Sequence, residues 1–332
     1  MQDGYILYFD SGTTNTRAYL LNADLEVCHV IRRGIGSKDS AISGSNKVLV
    51  DCLCDMYQRM LEENHLSGDS IKRIYASGMV TSPYGLHEVP HLTVPLDIRK
   101  FAESLCRFRE SSGIGRDIWL IPGLKTDRDD FSFAGNMRGE EIEIIGAMDE
   151  LKKLGIHDAA LVLPGSHTHI AYVKNDTVAD IVSNFTGELF HALKSETVLA
   201  PVMDCVPEAL DEDMIRLGAD NCRRFGFNRA IYICHAMRIM NKYLPEQRFA
   251  YCEGVVNGGL GQILEYYFRN IWKGCETVVL ISDEFMYKLL SVIVSGSCGE
   301  LVRNIVWLRA DRQTSYSVDG LKRIIIVTGE KQ

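Results

Sequence analysis

Residues 10–17 read DSGTTNTR: a carboxylate closes an apolar run, and a glycine, three threonines and an asparagine lead to an arginine that opens a second apolar run. Residues 163–170, LPGSHTHI, follow the same plan in the second half of the chain. These residue types suit a nucleotide triphosphate. Gly12 and Gly165 let backbone amides approach phosphate oxygens, while Thr13, Thr14 and Ser166 add hydroxyl donors. Asp10, at the end of a strand, is a hard oxygen ligand for Mg²⁺, directly or through its waters. Either stretch alone also reads as an ordinary hairpin turn; the pairing of two such turns favours phosphate. The P-loop pattern G-x-x-x-x-G-K-[ST] is absent, so the site is of another kind. His167 and His169 form H-x-H on one strand face, and the position in the second turn makes phosphate contact by His167 a simpler role than metal binding.

The elements that carry these turns are legible. YILYFD, RAYLLNA and EVCHVIR are three β-rich runs, the last two separated by Asn22 and Asp24. A helix is predicted over 46–64, where Val48, Cys52, Met56 and Met60 recur at helical spacing. KRIYAS (72–77) reads as a strand, 97–110 as a helix and DIWLIPG (117–123) as a strand. AALVLPG, THIAYVK and TVADIVSNF repeat the meander, with a turn at Asn175 and Asp176 and a helix from about Gly187. A shift of 153 positions lays Gly12 on Gly165, Ala18 on Ala171, Tyr19 on Tyr172 and Asn22 on Asn175 without a gap. This points to a duplicated β-β-β-α unit and two related α/β domains. Most of 210–310 reads helical apart from TVVLIS (277–282).

Two other stretches mix polar and apolar groups. MRGEEIEIIGA (137–147) reads as a helix start with Glu140, Glu141 and Glu143 in its first turn, where the helix dipole favours carboxylates; for Glu143 that explanation suffices. SGMVTSPYGLHEVPHL (77–92) is a Gly- and Pro-punctuated loop after a strand, which suits either the wall of a small-ligand pocket or an ordinary surface loop. Thr186-Gly187-Glu188 fits a helix-starting turn as well as a ligand contact.

The chain has 332 residues, 46% hydrophobic, with formal net charge −8 and a pI of about 5.6. Two domains with well-buried cores are expected. No basic block favours nucleic acid or an acidic membrane surface. No run reaches the roughly 18 apolar residues that span a bilayer. The first residues lack a secretory leader pattern, and the ten cysteines are scattered without C-x-x-C pairs. Cys52 and Cys54 have the wrong separation for one helix face. Free thiols and a cytoplasmic location are the expectation.

Taken together, DSGTTNTR, SGMVTSPYGLHEVPHL, IPGL (121–124), MRGEEIEIIGA, LPGSHTHIAYV and FTGELFHAL (185–193) resemble, in order, the motifs of the 2-dehydro-3-deoxygalactonokinase family of the sugar-kinase, Hsp70 and actin superfamily. The likeness is good to about residue 195 and fades towards the C-terminus. It implies an α/β fold of two duplicated ribonuclease H-like (actin-like ATPase) domains facing across a cleft. Their expected bounds are 1–150 and 151–310, with 311–332 as a helix returning to the first domain. It implies ATP and Mg²⁺ as cofactors. The γ-phosphoryl would pass to the terminal hydroxyl of 2-dehydro-3-deoxy-D-galactonate, giving a product that feeds an aldolase. In related kinases an acidic residue on a glycine-preceded helix is the general base. Gly139-Glu140 matches that place, with Glu141, or no carboxylate base at all, as the alternatives. Arg17 and Arg138 become partners for the sugar-acid carboxylate, and Asn15, Gly78 and Met79 for its hydroxyls. The expected partners are a sugar acid and a nucleotide, and a homodimer is compatible.

Three departures bear on the nucleotide side. His169 stands where the family has a lysine. Ser282-Asp283-Glu284-Phe285 replaces a small-residue turn near the adenosine, and two carboxylates there would weaken nucleotide binding. TSYSVDGLKRI replaces the Gly-Asp opening of the last helix. Two further readings therefore stay open: a kinase of the same fold acting on another sugar acid or polyol, and a catalytically weak sensor of a sugar acid or nucleotide.

Overall fold

The computed structural model describes residues 4–205, 207–310 and 315–329. Of the expected C-terminal segment, 311–314 and 330–332 lie outside the described residues, as does Thr314 of the departing TSYSVDGLKRI stretch. The chain divides into two compact units. The first runs through Gly155 and adds Asp176–Ile181 and the residues from Ser315 on; the second holds Ile156–Asn175 and Val182–Thr314.

In the first unit, β1 (Tyr5–Ser11), β2 (Thr16–Leu21) and β3 (Val27–Arg33) form the antiparallel meander. Its register sets Asp10 opposite Arg17 and Ser11 opposite Thr16. Helices α1 (Ser37–Ser43) and α2 (Lys47–Glu63) follow. Leu49, Cys52, Leu53, Met56 and Met60 of α2 are buried against the sheet, as their spacing requires. Strand β4 (Ile71–Gly78) then lies parallel to β1. The short β5 (Leu92–Thr93) and β6 (Leu96–Asp97) lead to α3 (Ile98–Glu103), β7 (Cys106–Arg109) and β8 (Asp117–Leu120). The hairpin strands β9 (Leu124–Lys125) and β10 (Asn136–Met137) precede α4 (Glu140–Lys153). The main sheet has the order β3-β2-β1-β4-β8-β7. The helix expected over 97–110 is thus corrected. It ends at Glu103, and Cys106–Arg109 pair with β8, since alternate residues there are half-buried and exposed as on a sheet edge.

In the second unit, β11 (Asp158–Leu163), β12 (His167–Lys174) and β13 (Thr177–Phe185) repeat the meander. The first residues of β13 belong to the first unit and pair there with β6. The helices α5 (Gly187–Glu196), α6 (Glu212–Phe225), α7 (Phe227–Ile239) and α8 (Pro245–Asn270) come next. They are followed by β14 (Thr277–Ser282), α9 (Glu284–Cys298) and β15 (Asn304–Arg309). Strand β14 runs parallel to β11 and β15 parallel to β14. The order β13-β12-β11-β14-β15 therefore reproduces β3-β2-β1-β4-β8. Strand β15 corrects the helical reading of that stretch: NIVWLR is β-branched and aromatic, and its register with β14 is continuous over six residues.

The last helix, α10 (Ser317–Thr328), belongs to the first unit and lies directly on α4. Gly320 passes so close to the Ile142 carbonyl that a Cβ would overlap it, and Gly146 stands in the same relation to the Tyr316 carbonyl. Arg323, 8% exposed, donates to the Ile145 carbonyl at 3.1 Å and pairs with Asp176 at 2.7 Å and Asp149 at 3.2 Å. Charge and close backbone contact thus hold the same helix pair. Gly320→Ala should lower the thermal unfolding midpoint by several degrees, about 2–3 kcal/mol, because α10 must shift off α4. Gly259→Ala, on an open face of α8, should leave stability unchanged or raise it by up to about 1 kcal/mol. Calorimetric melting of the two variants checks the contrast.

Candidate functional site

The first loop, Gly12–Asn15, is exposed and rests on a buried polar base. Ser11 Oγ lies 3.0 Å from Thr16 Oγ1, and Thr16 donates to the Ile35 carbonyl at 2.7 Å. Beyond Ile35 the chain opens α1 through Gly36, where a Cβ would strike the Thr13 carbonyl. The amides of Ser37 and Lys38 donate to the carbonyls of Gly12 (3.2 Å) and Thr13 (2.9 Å). A trans peptide holds its N–H opposite its C=O, so the amides of Thr13 and Thr14 point away from α1. Gly12 N–H closes the turn on the Asn15 carbonyl at 2.8 Å, and the Asn15 amide donates to Thr14 Oγ1 at 2.9 Å.

The second loop repeats this construction. Thr168 Oγ1 lies 2.8 Å from Thr186 Oγ1, both buried. Gly187 then opens α5 against the Gly165 carbonyl with no room for a Cβ, and Glu188 N–H donates to the Ser166 carbonyl at 2.8 Å. The His167 amide consequently points away from α5. Gly165 and Ser166 are exposed, and the His167 ring is partly exposed with Nε2 3.6 Å from Glu188. The correspondence is not gapless: Thr16 matches Thr168, and Gly36 matches Gly187. Leu163 pairs with His169 as Asp10 pairs with Arg17, so the second turn is one residue shorter than the first.

At the end of β1 the backbone is crowded. Gly78 (φ 79°) abuts the Ser11 carbonyl, and a Cβ on Gly139 (φ 115°) would sit 3.4 Å from the Gly78 Cα. This meeting starts α4 beside Asp10. Asp10 Oδ2 accepts from Arg17 Nη1 at 3.4 Å and from Ser317 Oγ at 3.2 Å. Glu143 Oε1 accepts from Ser315 Oγ at 3.4 Å. Burial and the proximity of Asp10 and Glu140 push the Glu143 carboxyl up to about 8. Burial, opposed by backbone hydrogen bonds and reinforced by Asp10, pushes Glu140 up to about 7. Asp10 is also raised, by burial, with Arg17 opposing. Asp10 and Glu143 thus share one guanidinium, and Glu140 is coupled to both carboxylates. Glu141 differs. It is fully buried, with Oε2 accepting the Gly139 N–H at 2.6 Å, and burial raises it to about 8.

The arginine assigned to a substrate carboxylate is otherwise engaged. Arg138 donates through Nη1 to the Thr81 carbonyl (2.6 Å) and hydroxyl, and through Nη2 to the Val89 carbonyl at 3.0 Å and His91 Nδ1 at 3.2 Å. It fastens the loop 79–91 rather than standing free. The Gly78 and Met79 carbonyls accept from the hydroxyls of Thr81 (2.9 Å) and Ser82 (2.8 Å). Gly78 accordingly serves backbone approach.

The profile of the 2-keto-3-deoxy-galactonokinase family matches residues 10–295. The chain belongs to this family. It is 28% identical over 191 residues to the 2-dehydro-3-deoxygalactonokinase of Escherichia coli (strain K12), covering 57% of this chain and 56% of the relative. It is 26% identical over 200 residues to a Rhizobium meliloti (strain 1021) protein named the probable 2-dehydro-3-deoxygalactonokinase DgoK1, covering 59% and 58%. The aligned stretch thus spans a little over half of each curated relative. The fold is that of a Sinorhizobium meliloti protein described as a candidate 2-dehydro-3-deoxygalactonokinase: TM-score 0.77 at 19% identity, covering 98% of this chain and 99% of that one.

Set against the family pattern, the departures have local explanations. His169 is buried in β12, 2.9 Å from Ser183 Oγ, and burial lowers it to about 4, so it is neutral near pH 7. Asp283 caps α9 by accepting the Met286 N–H at 2.9 Å, and Glu284 pairs with Lys288 at 2.6 Å. Both carboxylates thus have helix-stabilising partners. Glu143 belongs to the cluster and does more than complement the helix dipole; its i, i+3 relation to Glu140, which puts both on one face, is the sequence signal for this. Ser315 and Ser317 carried no sequence signal.

Among the described residues no group of three His, Cys, Asp or Glu could hold a metal ion by itself. A Mg²⁺ ion in a nucleotide site is commonly held by one or two carboxylates plus phosphates and water. Asp10 fits the group: both its partners fall on Oδ2, and the crowded carboxylates favour a cation. The Glu141 carboxyl, ordinarily near 4.5, is protonated in the folded chain up to about pH 8 but ionises earlier when unfolded. It therefore lowers stability progressively as pH rises from about 4.5 to 8. Glu141→Gln should be more stable than the parent at pH 8 by on the order of 1–3 kcal/mol and near equal at pH 4.5, read by unfolding at both pH values.

Proposed function

We propose that the chain is a sugar-acid kinase that passes the γ-phosphoryl of ATP to a hydroxyl of a 2-keto-3-deoxy acid. The leading acceptor is the terminal hydroxyl of 2-dehydro-3-deoxy-D-galactonate. The observation that carries this reading is the placement of Glu140. It is a half-buried residue at the start of α4, its Oε2 closed off from solvent, electrostatically coupled to Asp10, with an affinity for protons near neutrality. A general base is most effective when its pKa lies close to the working pH. Glu141 is unsuited to the role, being sealed in the core.

In this reading Glu140 accepts the acceptor's hydroxyl proton as the oxygen attacks phosphorus. Each loop brings phosphate donors of its own: the outward amides of Thr13 and Thr14 on the first, and the His167 amide and Ser166 hydroxyl on the second. Mg²⁺, when bound, would offset the phosphate charge, with Asp10 as its protein ligand directly or through water. Arg17 restrains Asp10 rather than meeting substrate. Positioning and phosphate electrostatics supply most of the acceleration. Cytoplasmic action belongs to the same reading: all ten cysteines are free, and among the described residues no helix is long and apolar enough to cross a membrane.

One observation favours a second acceptor class. With Arg138 committed to its loop and Arg17 to Asp10, neither guanidinium assigned to a sugar-acid carboxylate is free, so a neutral polyol or another acid of different reach fits as well. The sensor reading keeps its motive in His169 and in the charges of Asp283 and Glu284, both of which also stabilise α9.

A coupled ADP-release assay with MgATP tests this, using 2-dehydro-3-deoxy-D-galactonate beside a panel of sugar acids and polyols. Glu140→Gln should lower kcat by about 10²–10⁴-fold, and Asp10→Asn should abolish turnover at ordinary Mg²⁺. Turnover unchanged in Glu140→Gln removes the base assignment. Silence with every acceptor, together with no ATP binding, refutes the kinase reading.

A further inference from the structure

The C-terminal helix delivers two hydroxyls to the carboxylates at the other end of the chain. Ser317 is 1% exposed and donates to Asp10 Oδ2 at 3.2 Å. It also hydrogen-bonds Tyr8, whose hydroxyl lies 2.6 Å from Ser77 Oγ. Ser315 Oγ is 2.9 Å from Ser317 Oγ, accepts the Ser317 N–H at 3.2 Å and donates to Glu143 at 3.4 Å. The first turn of α10 is therefore built into the carboxylate cluster. Its place does not depend on those hydroxyls, since Arg323 and the Gly146 and Gly320 contacts hold α10 on α4.

We propose that Ser317, supported by Ser315, is a positioning residue that sets the Asp10 carboxylate for the metal–phosphate end of the site. The inference rests on the reading of Asp10 as the Mg²⁺ ligand. Arg17 and Ser317 both bond Oδ2. Two donors converging on one oxygen fix the plane of the carboxylate and turn Oδ1 to its ligand. An arginine alone, at 3.4 Å and partly exposed, leaves that plane free to rotate. A hydroxyl suits the task because it adds a donor without adding charge beside a cation site.

The test compares Ser317→Ala, Ser317→Thr and Ser315→Ala with the parent. Titration calorimetry of ADP at a series of Mg²⁺ concentrations, without acceptor, reads the site independently of turnover. Ser317→Ala should raise the half-saturating Mg²⁺ about fivefold and lower kcat about tenfold, with KM for the acceptor and the melting midpoint little changed. Ser317→Thr should recover most of both losses, and Ser315→Ala should show a smaller loss in the same direction. A folded Ser317→Ala with unaltered Mg²⁺ response overturns the proposal. So does a loss that Ser317→Thr fails to recover while Ser315→Ala is silent. If the parent binds MgADP but phosphorylates no acceptor of the panel, the acceptor assignment fails and the Ser317 result still stands. If the parent shows no Mg²⁺-dependent nucleotide binding, the proposal falls with the role of Asp10.

Discussion

Backbone crowding at the end of β1 is the constraint on which the first unit depends. Ser11, Gly78 and Gly139 meet with almost no side-chain volume between them, two of them in conformations that disfavour any residue with a Cβ. The contact aligns the ends of β1 and β4 with the start of α4. It thereby fixes how far the Glu140 carboxylate can lie from Asp10. A side chain at Gly78 or Gly139 would push the helix away and take the base assignment with it. Close packing of this kind transmits small displacements instead of absorbing them.

The electrostatics that follow are unfavourable for folding and useful for chemistry. Asp10, Glu140 and Glu143 lie within reach of one another, Arg17 offsets only Asp10 and Glu143, and burial raises all three carboxyls. Such a cluster would be removed if stability alone decided its composition. The elements around it limit the damage. Backbone amides at the start of α4 bond Glu140 and Glu141, and hydroxyls from α10 bond Asp10 and Glu143. Buried groups with shifted proton affinity, hydrogen-bonded but under-compensated in charge, are what functional sites accumulate.

Much of this was legible in the residues. The two meanders, α2 and the paired glycine turns follow from alternation, helical spacing and turn chemistry, which are local properties. What was not legible depends on direction or distance. Glu141 and Glu140 are neighbours in sequence, yet Glu141 is sealed in the core and Glu140 only half-buried, a difference set by the helix phase at Gly139. Arg138 looked like a ligand for a carboxylate because a free guanidinium is one. Only the fold reveals that the 79–91 loop consumes its donors. Ser317 is 307 positions from Asp10, and no pattern in SYSVDG announces the contact. Strands β7 and β15 were missed where short β-rich runs abut helices, the setting in which periodicity discriminates least.

The two loops make their supports in the same way, and that bears on how far the departures from the family matter. In each, a threonine on the returning strand ties to the residue before a glycine: Thr16 to Ile35, and Thr168 to Thr186. In each, the glycine lets a helix start against the loop, and helix amides hold the loop carbonyls. The outward groups that result are backbone N–H groups, whose direction is set by the peptide plane and not by the side chains around them. Replacing a lysine by His169 removes a positive charge but leaves this scaffold unaltered, since His169 lies buried beneath the loop and bonds Ser183. If the second loop holds a phosphate, as proposed, affinity there rests on oriented dipoles and hydroxyls more than on net charge. Dipoles of that kind are fixed before the ligand arrives and need no reorganisation, which is the form of electrostatic stabilisation that phosphoryl transfer uses best.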